Sequence, residues 1–169
     1  MVGSESAEIR FYHLQRMPLE KALTMILRRV VERDQRAVVV GSDVAKLEML
    51  DTHLWTSPPE AFIAHGRAGD PAMAGFEEHQ AVWLDEQPST PNKPQVLLQI
   101  DGAESDLGTV SGIEICCDLF DGNDDAAVAA ARDRWKRYRD GGYRLTYWQE
   151  TEQGGWAEKA SHPPKDAAG

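Results

Sequence analysis

Apolar positions along the chain change their period several times, and each change marks an element. Glu8 to Leu14 is a short opening strand carrying Ile9, Phe11 and Tyr12. Pro18 then stands where a first helical turn tolerates it. The spacing of Leu19, Leu23, Ile26, Leu27, Val30 and Val31 after it predicts a helix with one buried stripe, with Arg28, Arg29 and Arg33 on the polar side. Arg36 to Gly41 is a continuous β-branched run, the pattern of a strand covered on both faces. Gly41-Ser42-Asp43 makes a turn and a cap, and a second helix is periodic through Val44, Leu47, Leu50 and Leu54 until Ser57-Pro58-Pro59 stops it.

The second half reads the same way. Ala64 to Gly75 is a Gly/Ala/Pro-rich loop, His79 to Leu84 a further strand, and Asp85 to Pro94, with its three prolines, another loop. Val96 to Ile100 and Ile113 to Cys117 are buried strands. Asp124 to Gly141 is a long helix, alanine-dense at first and basic afterwards, closed by Gly141-Gly142. Tyr143 to Gln149 alternates as a last strand, and Thr151 to Gly169 is a polar, frayed tail. No internal repeat interrupts the series. Strands alternating with helices in this order predict one α/β domain over residues 1–150, its sheet mostly parallel and its helices on the faces.

The 169-residue chain carries 18 basic and 28 acidic residues, a net charge of −10 that disfavours a general nucleic-acid coat. The charge is uneven. Arg132 to Arg144 holds six basic and two acidic residues, so this segment is +4 and the rest −14. A cationic patch on an acidic body predicts a small acidic partner rather than a long polyanion. No apolar run reaches membrane-spanning length, and the start of the chain lacks a signal-like pattern. Cys116 and Cys117 are adjacent, poor geometry for a mutual disulfide, so a reduced, cytoplasmic setting is the simplest expectation.

Catalytic patterns are sparse. Gly41-Ser42-Asp43 follows a strand as a phosphate-binding turn would, but it has one glycine, no Lys-Ser or Lys-Thr, and a carboxylate where phosphate would sit. It reads as a helix cap, with a nucleotide-using enzyme as the alternative. His13, His53, His65, His79 and His162 show no ligand spacing and there is no Cys-x-x-Cys, so no metal site is expected. Cys117 ends an apolar strand without an activating partner, and Asp121, Asp124 and Asp125 form a loop and cap cluster. No Gly-x-Ser-x-Gly elbow occurs.

Two stretches stand out. Arg132, Lys136 and Arg139 fall at i, i+4 and i+7 on the last helix, with Trp135 beside them. One reading is a solvated basic face near a helix C-terminus. The other is a groove in which cations hold carboxylates while the indole receives an apolar group, suited to a peptide ending in acidic residues and an aromatic. Trp55 to His65 brings a tryptophan, a proline break and Phe62 together, either as core anchors or as an exposed dock for a partner.

Four blocks then carry a family resemblance: Phe11-Tyr12-His13-Leu14; Arg36 to Val40 with Leu50-Asp51-Thr52-His53-Leu54-Trp55; Pro59 to His65; and Ala131 to Tyr143. Together they span roughly residues 8 to 150, and the pattern resembles the chi subunit of bacterial DNA polymerase III holoenzyme. The resemblance implies a Rossmann-like α/β fold without a nucleotide site or cofactor, and a non-catalytic adaptor. It implies two partners: the psi subunit of the clamp-loader complex, and the acidic, phenylalanine-ended tail of single-stranded-DNA-binding protein. The tail site carries over to Arg132, Trp135 and Lys136, with Arg139 and Phe120 added. The psi-facing aromatic carries over to Phe62. Trp135 departs from the family, where a tyrosine is common; the indole enlarges the pocket wall and removes a hydroxyl.

Overall fold

The computed structural model describes residues 7–56 and 62–163. Among these residues, eight strands form a single sheet in the order β3-β4-β2-β5-β6-β1-β7-β8. They are β1 (Glu8–Leu14), β2 (Ala37–Gly41), β3 (His65–Arg67), β4 (Val82–Asp85), β5 (Val96–Ile100), β6 (Ile115–Asp121), β7 (Arg144–Glu150) and β8 (Trp156–His162). Seven of them run parallel, and β8 is antiparallel to β7. The fold is therefore α/β, with a mostly parallel but mixed sheet flanked by helices.

The helices are α1 (Leu19–Glu32), α2 (Val44–Trp55) and α3 (Asp125–Asp140). α1 buries Ala22, Leu23, Leu27 and Val30, and α2 buries Leu47, Leu50 and Leu54, in one core with Val39, Leu84 and Leu98. α3 covers the opposite face, where Ala131 and Tyr138 pack with Ile9, Phe11, Val38 and Leu97. The central strands are apolar on both sides because both sides are roofed. α1 and α3 thus leave the neighbouring strands β1 and β6 towards opposite faces, which opens a crevice of about 660 Å³ at their C-terminal ends.

Local chemistry sets the helix ends. Asp43 accepts from the Ala45 amide at 3.0 Å and caps α2, as expected of the Gly41-Ser42-Asp43 turn. Asp124 accepts from the Ala126 and Ala127 amides at the start of α3. The proline stop at Ser57-Pro58-Pro59 lies outside the described residues.

Several sequence expectations need correction. The stretch after Thr151 is not a frayed tail where it is described: Trp156–His162 pair with β7 as β8, and residues 164–169 of the expected tail lie outside the described residues. Its polar, alanine-rich composition hid the strand, which is anchored by the Trp156 ring standing edge-on to Tyr12 at 5.1 Å. The loop expected over Ala64 to Gly75 contains the three-residue β3. The strand expected from His79 begins at Val82, because Glu77–His79 form a 3₁₀ turn. β6 continues past Cys117 to Asp121, so Phe120 lies within the strand rather than after it. The strand can carry Asp118 through the interior because Arg134 of α3 meets that carboxylate.

None of the described helices is long and apolar enough to cross a membrane.

Candidate functional site: a basic cleft between α3 and β7

α3 distributes its five cations in three directions. Arg134 points into the core, where Nε and Nη2 donate to the two Asp118 oxygens at 2.6 and 2.9 Å. Burial pushes the Asp118 carboxyl up, against the Arg134 and Gln99 hydrogen bonds that favour its charge. Gln99 donates to Asp118 at 2.8 Å, and the Tyr138 hydroxyl donates to the Ser105 carbonyl at 2.9 Å. This buried network pins the rotation of α3 on the sheet. Replacing it by apolar packing can be neutral, whereas removing one charge strands the other.

Arg137 turns to the opposite flank and makes a two-toothed pair with Glu104 at 2.9 and 2.7 Å. Arg132, Lys136 and Arg139 remain on the third side, all exposed. Arg139 pairs with the adjacent Asp140 at 3.2 Å. Among the described residues, Arg132 and Lys136 have no ion-pair partner.

These three cations edge a cleft of about 480 Å³ whose floor is aromatic. Phe11 of β1, Phe120 of β6, Tyr147 of β7 and Trp135 of α3 all line it, with Val128 and Ala131 completing the helix wall. Trp135 stands edge-on to Phe11 at 5.5 Å and to Tyr147 at 6.4 Å, and Phe120 lies 6.3 Å from Tyr147. Each such pair contributes about 0.5–1.5 kcal/mol beyond area burial, so the floor is preformed. All five residues expected here from the sequence, Arg132, Trp135, Lys136, Arg139 and Phe120, come together. Phe11, Val128, Ala131, Tyr147 and Ala160 were not foreseen as part of it. The alternation of β7 puts Tyr147 on the same face as buried Leu145, which is the signal that could have found it.

Behind this floor, His13 is buried and its Nδ1 meets the Tyr147 hydroxyl. Burial holds the imidazole below its ordinary pKa and the Arg132 charge acts the same way, while Glu150 and Asp121 oppose them. Gly122 is required beside it. A Cβ there would collide with the His13 ring and come within 2.7 Å of the Leu14 carbonyl oxygen.

The larger crevice between β1 and β6 is chemically different. The amides of Gln15, Arg16 and Met17, at the β1–α1 turn, all donate to the Glu150 carboxylate at 2.6, 2.8 and 2.7 Å. Burial pushes the Glu150 carboxyl up, but these three donors outweigh it and hold it below the usual carboxylate range. Burial also pushes the Cys117 thiol up to about 12, which leaves it un-ionised at neutral pH. Among the described residues no group of His, Cys, Asp and Glu is arranged to hold a metal ion.

At the other end of the sheet, Phe62 is 61% exposed and Trp55 56% exposed, with ring centroids 6.2 Å apart. Trp55 also packs 4.6 Å from the buried His65 ring. His65 Nε2 lies 2.9 Å from the Asp51 carboxylate, and Arg67 lies 3.9 Å from the same group. The structure thus resolves the sequence alternatives for Phe62 towards exposure, and it adds Trp55 to the same patch.

Comparison with known proteins places the chain in a family. Residues 7–146 match the sequence model described as DNA polymerase III chi subunit, HolC. A probable DNA polymerase III subunit chi from Rickettsia prowazekii (strain Madrid E) is 28% identical over 93 residues. That match covers 55% of this chain and 54% of the relative, so the chain spans about half the length of the curated relative it matches.

Proposed function

Since the chain belongs to the DNA polymerase III chi subunit family, an accessory role in the replisome follows, and we propose that it acts there as a non-catalytic adaptor with two docking ends. The cleft between α3 and β7 grips the acidic, aromatic-ended C-terminal tail of single-stranded-DNA-binding protein. The Trp55–Phe62 patch meets the psi subunit of the clamp loader. The observation that carries this reading is the juxtaposition of Arg132 and Lys136, two cations with no ion-pair partner among the described residues, with a preformed aromatic floor. Carboxylates suit the rim and an apolar ring suits the floor.

The two ends lie roughly 30 Å apart if six strand spacings separate β3 from β7. One chain of this size can therefore hold both partners without their colliding. The acidic body favours reaching single strands through the protein that coats them rather than directly.

We read the fold as Rossmann-like without a nucleotide. In such folds the first βα turn presents backbone amides to phosphate. Here the Glu150 carboxylate already takes the three amides of residues 15–17, and Asp43 caps the second βα turn. Both features support a chain that needs no cofactor.

Capture on immobilised single-stranded DNA tests the adaptor. The protein should bind strands coated with full-length single-stranded-DNA-binding protein, and binding should vanish when the coat lacks its last residues. Equal binding to bare strands would contradict the proposal and make the basic helix a direct nucleic-acid surface.

A further inference from the structure

One wall of the cleft comes from β8, a strand that lies beyond residue 146, where the family match ends. Ala160 faces Tyr147 across the β7–β8 ladder, is exposed, and lines the cleft on the side away from α3. The ladder slips between Tyr147 and Trp148: Tyr147 pairs with Ala160 but Trp148 pairs with Glu158, so Lys159 is an extra residue. A bulge of this kind bends its strand and raises the local twist. The strand is nevertheless held at its start. Trp156 stands edge-on to Tyr12, Trp148 stacks on the same ring at 6.3 Å, and Glu150 ties the end of β7 to the turn at residues 15–17. A fixed strand thus presents a methyl group where any larger side chain would stand in the cleft.

We propose that β8 is the outer wall of the peptide cleft, and that the small side chain of Ala160 leaves room for the terminal aromatic ring of the acidic peptide beside Trp135 and Tyr147. The inference rests on the peptide-binding reading of this cleft. Arg132, Lys136 and Arg139 extend over about 10 Å of helix, at 1.5 Å per residue. An extended peptide covers that length in roughly three residues. Acidic side chains can therefore follow the cations while the ring at the peptide's end occupies the apolar ground between α3 and β8. Specificity for the terminal aromatic then belongs partly to β8, and affinity for the carboxylates belongs to α3.

The test is fluorescence anisotropy with a labelled peptide of several aspartates ending in phenylalanine, and with the same peptide lacking the phenylalanine. Both are titrated into the full chain and its variants. Ala160→Trp should weaken the first peptide by about tenfold or more, as blocking a central apolar contact does. It should leave the second, already weak peptide unchanged, and Ala160→Ser should bind as the original does. Because residue 160 is exposed, melting temperatures should stay close together. Should Ala160→Trp fail to fold, Ala160→Leu carries the same expectation at smaller size. If Ala160→Trp and Ala160→Leu bind the first peptide as tightly as the original, while Arg132→Ala and Lys136→Ala each weaken it, β8 lies outside the site and only this inference falls. If Arg132→Ala and Lys136→Ala bind unchanged as well, the peptide reading of the cleft itself is wrong.

Discussion

At the β7–β8 end of the sheet the aromatic rings are packed together and, among the described residues, two cations have no ion-pair partner, whereas at the β3 end the Asp51 carboxylate is engaged and two rings stand exposed. Phe11, Trp135 and Tyr147 pack together beneath two cations that have no ion-pair partner among the described residues. Trp55 and Phe62 stand exposed beside an Asp51 carboxylate already engaged by His65. Each end has satisfied one kind of interaction internally and offers the other. On the proposed reading, such a surface takes carboxylates at one end and apolar side chains at the other. The binding physics should differ accordingly, with strong salt dependence at the first end and little at the second.

The support beneath the basic end gives the largest expected effect. Arg134→Ala leaves the buried Asp118 charge without its partner and should cost about 3–5 kcal/mol in a denaturant titration. Arg134→Met with Asp118→Leu should recover much of that loss. If Arg134→Ala alone proved neutral, the buried pair would not be what holds α3 in place.

Next in size is the aromatic end. Phe62→Ala should weaken the proposed psi contact by about 2 kcal/mol, the scale of an interface anchor, while changing stability little because the ring is exposed. Co-purification with a psi subunit measures the first and thermal melts the second. The same variant should bind the acidic peptide normally, and a loss there would mean that the two ends are coupled.

The charges of the cleft act individually at a smaller scale. Arg132→Ala and Lys136→Ala should each weaken peptide binding by about 1 kcal/mol and flatten its salt dependence, with stability unchanged. Arg137→Ala, whose cation faces Glu104 on the other flank, should not affect the peptide. An equal loss from Arg137→Ala would replace the cleft with a diffuse basic surface.

The smallest effect concerns pH. Folding keeps the His13 imidazole below its ordinary pKa, chiefly through burial. The stability that comes from its neutral form is whole above the unfolded value of about 6.5 and is lost as pH falls through the lower folded value. Glu150 has the same sign further down: its contribution is present above the usual glutamate value and disappears on acidification. Melting temperature should therefore fall on going from about pH 7 to about pH 5. His13→Gln should reduce that slope.

Much of this contrast was legible in the chain because it depends on short-range pattern. The i, i+4, i+7 spacing of Arg132, Lys136 and Arg139 puts them on one side of any helix, whatever the helix packs against. The β-branched run at Ala37 to Val40 requires burial on both faces, and it lies fully inside the sheet. What stayed hidden needed partners from distant segments. Nothing local marks Arg134 as a core residue, since its carboxylate arrives from β6, and nothing marks Ala160 as part of the cleft. β8 itself is too polar to read as a strand until Tyr12 and Trp148 are in place to receive Trp156. The exposure of Phe62 likewise depends on where β3 joins the sheet edge.

Calorimetric titration of the purified chain with a short peptide of aspartates ending in phenylalanine tests the central claim most directly. The account predicts roughly micromolar binding that weakens with added salt. It further predicts that binding is lost when the phenylalanine is removed or when Arg132→Ala and Lys136→Ala are combined, and survives Phe62→Ala. Absence of binding at low salt, or equal binding by the original chain and the doubly substituted one, would contradict it.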